Sequence, residues 1–159
     1  MGQVTIRAFT DADLPWAERL LGGGFGGRLQ VRLGSVVDPL ACPGLVAEAD
    51  GDPVGIVTFD ADGTDVEVVY IEVMAKHLGV GTSLLEALEA RTRAQRLWLV
   101  TTNDNLDALR FYQRRGFRIT EIRPGAVDEA RRTLKPSISD VGGFGIPIRD
   151  EIVLERLRH

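Results

Sequence analysis

The sequence predicts a mixed α/β domain with a mostly antiparallel central sheet and helices on both faces. Apolar and polar residues alternate from Val4 to Phe9, as in a strand with one buried face. The segments 45–49 and 54–59 read as strands joined by an Asp-Gly turn, which is a hairpin signal. Across residues 65–102 a strand, a helix and a second strand follow one another, which predicts one right-handed crossover and one parallel pair.

The elements of the first third are separated by glycine and proline. A helix is expected from Ala12 to Leu21, with Thr10 or Asp11 as its cap. The run Gly22–Gly27 matches G-x-G-x-x-G, but it does not follow a strand, so we interpret it as a mobile loop and not as a dinucleotide site. Residues 29–37 fit either a strand or a helix.

The remaining elements alternate between strand and helix signals. Gly116 follows the second helix in the usual position for a helix end, and asparagine or aspartate side chains precede that helix as caps. The expected elements are strand 65–73, helix 84–95, strand 96–102, helix 106–115, strand 117–122, helix 126–134, loop 135–147 and strand 148–157. We therefore treat residues 1–159 as one domain, which is also the size that one domain usually has.

Composition restricts the classes of function. The formal net charge of −4 argues against nucleic acid and against an anionic membrane as the main partner. No apolar run approaches the roughly 20 residues that a membrane helix needs. Cys42 is the only cysteine, so an intrachain disulfide is excluded and a reducing cytoplasm is the expected location. Two histidines and one cysteine do not form a metal-binding pattern, so we expect no metal site.

The segment Lys76–Ser83 carries the first chemical signal. It is a glycine-containing turn between a strand and a helix, and such a turn presents free backbone N–H groups at the positive end of the helix dipole. Lys76 adds a positive charge beside the turn. The segment predicts a site for a phosphate-bearing ligand, and an ordinary strand-to-helix connection is the alternative.

A second motif follows at Asn105-x-x-Ala108-x-x-Phe111-Tyr112, with Gly116-Phe117 behind it. Together with Lys76-x-x-Gly79-x-Gly81, in this order and on these elements, it resembles the GNAT acyltransferase superfamily. The resemblance covers roughly residues 65–122. It implies a GNAT-like sheet whose parallel strand pair is splayed at the cofactor cleft.

The resemblance also implies acetyl-CoA as an acyl donor. The turn would hold its pyrophosphate, the end of the preceding strand would hydrogen-bond its pantetheine arm, and Tyr112 would protonate the departing thiolate. Lysine at position 76 departs from the usual glutamine or arginine, and it lacks the planar fork of arginine. The residues expected to bind the cofactor are Ile71, Val73, Lys76, His77, Leu78, Gly79, Val80, Gly81, Thr82, Ser83, Asn105 and Ala108.

An amine acceptor must lose a proton before it attacks, because alkyl amines have pKa values near 10. Glu72 is the leading candidate for the base, with a solvated carboxylate or a partner of Lys76 as its alternative reading. Glu67 comes second, five residues earlier on the same strand and on its opposite face. His77 lies in the phosphate turn and is less suited. Two of the site residues also have a purely structural interpretation. Tyr112 would be an aromatic packed in the core, and Asn105 would be a helix cap.

We therefore expect an N-acetyltransferase that moves an acetyl group from acetyl-CoA to a primary amine by direct transfer in a ternary complex. The alternative is a catalytically silent CoA-binding regulatory module. The acceptor, a small-molecule or peptide amine, would be recognised by residues 21–37 and 124–150. A surface charge cluster, and not a binding site for a charged acceptor, is the simpler interpretation of Arg149, Asp150 and Glu151. Homodimers are common in folds of this kind.

Overall fold

The protein is described here by a computed structural model that covers residues 3–22, 28–74 and 79–158. The strands within these ranges are β1 (Val4–Ala8), β2 (Gln30–Arg32), β3 (Ser35–Val37), β4 (Gly44–Ala49), β5 (Asp52–Asp62), β6 (Asp65–Val73), β7 (Arg96–Thr102), β8 (Arg118–Arg123) and β9 (Glu151–Leu157). The helices are α1 (Leu14–Gly22), α2 (Val80–Thr92), α3 (Leu106–Arg114) and α4 (Ala126–Thr133).

The predicted mixed sheet is confirmed. Its strand order is β1-β4-β5-β6-β7-β9-β8, and β2 pairs only with β3 in a separate hairpin. All neighbours are antiparallel except β6 and β7, which are parallel. That parallel pairing joins only residues 65–67 to residues 96–98, so the two strands separate after Glu67. The C-terminal strand β9 lies between β7 and β8.

Helices cover both faces of the sheet. On one face, Leu84, Leu85 and Leu88 of α2 are almost fully buried in the larger core. On the other face, Ala17 and Leu21 of α1 pack in a smaller core with apolar side chains of β4 and β5. Each leucine buried in this way stabilises the fold by about 1.5–3 kcal/mol.

The hairpin β2–β3 settles the segment that fitted either a strand or a helix. Its turn consists of Leu33 and Gly34, whose φ angles are +50° and +75°. Two consecutive positive φ values are typical of a tight hairpin turn that matches the twist of the flanking strands. The glycine lowers the cost of this conformation, whereas Leu33 adopts it with a full side chain.

A β-bulge in β6 changes which side chains share a face. Thr58 of β5 faces Tyr70, but the next residue, Phe59, faces Val68, so Val69 is an extra residue. In a regular strand Glu67 and Glu72 would lie on opposite faces. The extra residue reverses this alternation. The expectation that the two carboxylates face opposite ways was therefore wrong.

Helix bounds differ slightly from those expected. The helix predicted at 84–95 begins earlier, at Val80, and ends at Thr92, because Arg93 adopts a left-handed conformation with φ +56°. Residues 23–27 of the glycine run lie outside the described residues, so the predicted loop is untested. None of the helices in residues 3–22, 28–74 and 79–158 is long and apolar enough to cross a membrane.

Candidate active site

A gap in the sheet opens where β6 and β7 separate. It is a cavity of about 150 Å³ that is lined by parts of both strands, by α3 and by the residue that caps α3. Its walls come from 68–71 of β6, 99–101 of β7, and Asn105, Ala108 and Tyr112. We call it the β6–β7 gap.

A larger cleft of about 810 Å³ adjoins the gap on the face that carries α2 and α3. It lies between α3 and the end of β6, and we call it the α3 cleft. It shares Ile71, Asn105, Ala108 and Tyr112 with the gap. The two cavities therefore adjoin at these four residues.

A third cavity, of about 700 Å³, lies on the opposite face of the sheet. The hairpin β2–β3, helix α4 and the 138–143 loop enclose it, and we call it the hairpin chamber. It shares Val69, Val100, Thr101 and Asn105 with the gap. Asn105 lines all three cavities, so the three cavities adjoin at this residue.

The N-terminus of α2 has the geometry of an anion site. Gly79 caps the helix with φ +84°, a conformation in which a side chain would be strained. The first backbone hydrogen bond of the helix joins Ser83 N to Gly79 O at 3.0 Å. The N–H groups of Val80, Gly81 and Thr82 precede it, so they have no partner in the helix and point along its dipole. Lys76, His77 and Leu78 lie outside the described residues.

Arg115 ties the end of α3 to this turn. Its Nε donates to Thr82 Oγ1 at 2.7 Å, and its Nη1 donates to Phe111 O at 2.9 Å. The guanidinium carbon lies 3.7 Å from the centroid of the Phe111 ring. Gly81 lies against the same ring, since a Cβ at this position would be 2.8 Å from Phe111 Cζ. Glycine at 81 is therefore required by space, whereas glycine at 79 is required by backbone conformation.

The α3 cleft is lined by three arginines that the sequence reading did not select. They are Arg110, Arg114 and Arg115. Among the described residues, Arg110 forms a single ion pair, an exposed 3.8 Å contact with Asp107, so its charge stays available to a ligand. The spacing of Arg110 and Arg114 places them on one helix face, and this was the signal that could have identified them.

The end of β6 presents a free backbone edge to the cavities. Residues 71–73 pair with β5 on one side, but the pairing of β6 with β7 stops at Glu67. Among the described residues, no strand pairs with the other edge of Ile71, Glu72 and Val73. Such an edge can hydrogen-bond an extended ligand as a sheet bonds an added strand.

Asn105 combines a structural and a binding geometry. Its Oδ1 accepts a hydrogen bond from Ala108 N at 3.2 Å and so caps α3. Its Nδ2 forms no hydrogen bond within the described part of the chain and is exposed to the cavities. The two readings of this residue are therefore compatible.

Tyr112 lies at the inner wall of the gap. It is only 5% exposed and packs edge-on against Phe111 and Phe117, at centroid distances of 5.1 and 5.2 Å. Burial raises the pKa of its phenol above the ordinary value, because the phenolate would lose its hydration. The side chain is thus both a core aromatic and a neutral hydroxyl beside the β6–β7 gap.

The two carboxylates of β6 have different surroundings. Glu72 is exposed at the rim of the α3 cleft. Partial desolvation of its carboxylate by nearby protein atoms nevertheless raises its pKa. Glu67 is 2% exposed and accepts two hydrogen bonds from the guanidinium of Arg32, one of them 2.8 Å from Nε to Oε2. This bidentate pair engages both oxygens of Glu67, which leaves Glu72 as the more accessible base.

The hairpin chamber contains charged groups that the sequence reading assigned to the surface or to helix caps. Glu151 is 3% exposed, and its carboxylate accepts from Leu33 N at 3.2 and 3.3 Å. Treating Glu151 as part of a surface charge cluster was therefore wrong, although Arg149 is exposed as expected. Asp104 is 8% exposed and accepts from Gly143 N at 2.9 Å. The glycine pair at 142–143 is the sequence feature that could have indicated this contact, because a Cβ at Gly142 would overlap the Asp104 carboxylate.

Among residues 3–22, 28–74 and 79–158, no group of three or more histidine, cysteine, aspartate or glutamate side chains could hold a metal ion. The chemistry of the site therefore has to be sought in its hydrogen-bond donors, its carboxylates and its phenol.

Comparisons with known proteins agree with this geometry. The model of the acetyltransferase (GNAT) family matches residues 28–117. The Bacillus subtilis protein YdhI is 42% identical over 110 residues, covering 67% of this chain and 68% of YdhI. YxbD of the same organism is 38% identical over 108 residues, covering 66% of this chain and 67% of YxbD.

Solved structures share the fold. The IAA acetyltransferase from Bacillus cereus aligns with a TM-score of 0.72 at 20% identity, covering 98% of this chain and 100% of that one. A GNAT family acetyltransferase from Elizabethkingia anophelis, solved with acetyl-CoA bound, aligns with a TM-score of 0.66 at 19% identity, covering 98% of each chain. The match to the family model agrees with the separation of β6 and β7 and with the glycine turn before α2. The chain therefore belongs to the GNAT acetyltransferase family.

Proposed function

We propose that residues 1–159 form one acyltransferase domain that moves an acetyl group from acetyl-CoA to a primary amine. The observation that carries this proposal is that the α3 cleft, the β6–β7 gap and the hairpin chamber, on the two faces of the sheet, all share Asn105 as a lining residue. A thioester and an amine that enter from opposite faces of the sheet would meet at Asn105 and Tyr112. Such an arrangement favours direct transfer in a ternary complex over a covalent enzyme intermediate.

The α3 cleft suits the donor. The pyrophosphate of acetyl-CoA would accept from the free N–H groups of Val80, Gly81 and Thr82, and the adjacent arginines would neutralise its charge. The pantetheine arm would extend along the open edge of Ile71–Val73. The Nδ2 of Asn105 would donate to a carbonyl of the same arm, and Ala108 would contact it.

The reaction then requires two proton movements. The amine nitrogen attacks the thioester carbonyl carbon, and the C–S bond breaks as the new C–N bond is completed. The Tyr112 phenol gives its proton to the departing thiolate, and the raised pKa keeps this proton in place until then. Glu72 takes the proton of the attacking amine, through water if the two groups are not in direct contact.

Relatives of the same fold support the choice of cofactor. The Elizabethkingia protein contains acetyl-CoA, a Bacillus subtilis acetyltransferase was solved with CoA, and Arabidopsis thaliana Naa50 was solved with a bisubstrate analogue that joins CoA to a peptide. At these low identities they establish the fold alone, so the use of acetyl-CoA by this chain is part of the proposal.

Two measurements on the purified protein test the proposal. Acetyl-CoA should raise the melting temperature through linked binding, and CoA thiol should be released when an accepted amine is added. Absence of a thermal shift at saturating acetyl-CoA would refute the donor assignment. A shift without thiol release across a broad amine panel would instead favour the silent CoA-binding module.

A further inference from the structure

The hairpin chamber carries an uncompensated charge of each sign. Its lining includes the carboxylates of Glu67, Asp104 and Glu151 and the cations of Arg32 and Lys135. Glu67 is neutralised by Arg32 in the bidentate pair. Glu151 has Arg123 Nε at 3.6 Å from its carboxylate. Asp104 and Lys135 are therefore the two charged groups of this lining that have no charged partner among the described residues.

Asp104 has only uncharged partners in the described part of the chain. Its two oxygens accept from the Thr102 hydroxyl and from Gly143 N. Asp104 lines the chamber and immediately precedes Asn105, which lines both the chamber and the gap. A carboxylate in this position attracts the ammonium form of an incoming amine.

Lys135 is the matching cation. Its ammonium donates to the carbonyl oxygen of Leu29 and forms no ion pair with a described carboxylate. Partial burial lowers its pKa, as expected for a cation that loses hydration without gaining a counter-charge. Lys135 lines both the chamber and a neighbouring pocket at the base of the hairpin, so it lies at the end away from the gap.

Aliphatic side chains form part of the chamber wall. Val31, Val69, Val100, Ile138 and Ile148 contribute to the chamber wall. The hairpin is held over this wall by the Arg32–Glu67 pair and by the bond from Leu33 N to Glu151. A concave space of about 700 Å³ fits a small molecule better than a folded protein surface.

We propose that the acceptor is a small aminocarboxylate with an aliphatic body, whose amine is drawn to Asp104 at the gap and whose carboxylate pairs with Lys135. This inference rests on the proposed acetyl transfer and names the substrate class of the same site. Such a molecule supplies both missing counter-charges, and its apolar part covers the aliphatic wall.

Matched pairs of acceptors test the inference. Each pair contrasts an aminocarboxylate with the amine left after loss of its carboxylate: 5-aminovalerate with butylamine, and ε-aminocaproate with pentylamine. We expect kcat/KM to be at least about tenfold higher for one aminocarboxylate than for its partner, the size of one charge-assisted interaction. Equal or better use of both carboxylate-free amines would overturn the inference.

Variants separate a binding role from a structural role. Lys135→Met should raise KM for the preferred aminocarboxylate about tenfold while leaving KM for its carboxylate-free partner unchanged, and Lys135→Arg should restore most of the loss. Arg132→Met, on the exposed side of α4, is the matched control and should change neither. An equal effect of Lys135→Met on both acceptors would indicate a structural role and refute the pairing.

Failure of the transfer reaction itself is distinguishable. If acetyl-CoA binds but no amine releases CoA thiol, the proposed function fails and calorimetry decides the inference. 5-Aminovalerate or ε-aminocaproate should then still bind to the protein saturated with CoA, and Lys135→Met should abolish that binding. Absence of heat for both probes would overturn the aminocarboxylate assignment.

Discussion

The Nε of Arg115 donates to Thr82 Oγ1 at 2.7 Å and so joins the end of α3 to the first turn of α2. This bond, with the stacking of the guanidinium on Phe111, places a fixed positive charge beside the free N–H groups of the turn. The end of α3 thus supplies an arginine beside this turn, where the sequence has lysine at position 76.

Replacement of Arg115 by alanine should therefore weaken acetyl-CoA binding about tenfold or more, the value of a charge-assisted hydrogen bond to phosphate. Arg115→Lys should recover only part of the affinity, because lysine cannot both bond Thr82 and stack on the ring. Titration calorimetry at two salt concentrations measures the effect. Arg118→Ala, on the exposed strand β8, is the control, and an equal loss in both variants would contradict the role given to Arg115.

Gly81→Ala should disturb the same turn by steric overlap. Its Cβ would lie 2.8 Å from Phe111 Cζ, so either the ring or the turn has to move. We expect a loss of about 1–3 kcal/mol in the free energy of unfolding, as for other overpacked sites, with weaker acetyl-CoA binding.

Two comparisons isolate this steric cause. Gly22→Ala, where a Cβ meets nothing within 4 Å, should be neutral or slightly stabilising. Adding Phe111→Leu to Gly81→Ala should restore part of the stability, because the smaller side chain vacates the space. If the double variant were no more stable than Gly81→Ala, the clash with Phe111 would not be the cause.

Tyr112→Phe should reduce kcat by about 10²–10⁴-fold, the usual contribution of a general acid, while the thermal shift caused by acetyl-CoA persists. Burial raises the pKa of this phenol, so the acid form persists to higher pH than in an unperturbed tyrosine. The wild-type rate should accordingly show no decline from this group as the pH rises toward about 10. Unchanged turnover of the phenylalanine variant at every pH would remove Tyr112 from the mechanism.

Glu72→Gln should remove the ascending limb of kcat against pH. Glu72 acts as a base only when ionised, which requires a pH above its pKa, and burial raises that pKa. The limb should therefore lie above the value near 4.3 that is typical of an exposed glutamate. Measurement at saturating acceptor separates this limb from ionisation of the free amine. Glu86→Gln, on the exposed face of α2, should keep the wild-type profile, and persistence of the limb in Glu72→Gln would refute the assignment.

Local signals were sufficient for most of the fold. The Asp50-Gly51 turn has φ values of +54° and +82°, as its hairpin role requires, and β6 has the predicted bounds. These features depend on neighbours in sequence, which a periodic pattern records. Gly79 and Gly81 could likewise be placed at a helix start before the structure was known, because a glycine turn before a helix is a local feature.

Features that depend on distant residues were not visible in this way. The bulge at Val69 arises from the pairing of β6 with β5, so no pattern within β6 itself reveals it. Glu151 is buried because the hairpin turn, more than a hundred residues earlier, presents Leu33 N to it. The charges of the hairpin chamber come from several separate elements, and only the folded sheet brings them together.

The pair of Arg32 and Glu67 holds the hairpin β2–β3 to the sheet, and its energy can be measured. Arg32→Met leaves the carboxylate of Glu67 buried without its partner, so the free energy of unfolding should fall by about 3–5 kcal/mol. The double variant Arg32→Met with Glu67→Met removes both charges and should recover much of this loss. Glu129→Gln tests an exposed pair on α4 and should change stability by less than about 1 kcal/mol. Denaturant unfolding measures all four proteins, and a double variant as unstable as Arg32→Met would show that packing of the hairpin, and not the buried charge, accounts for the loss.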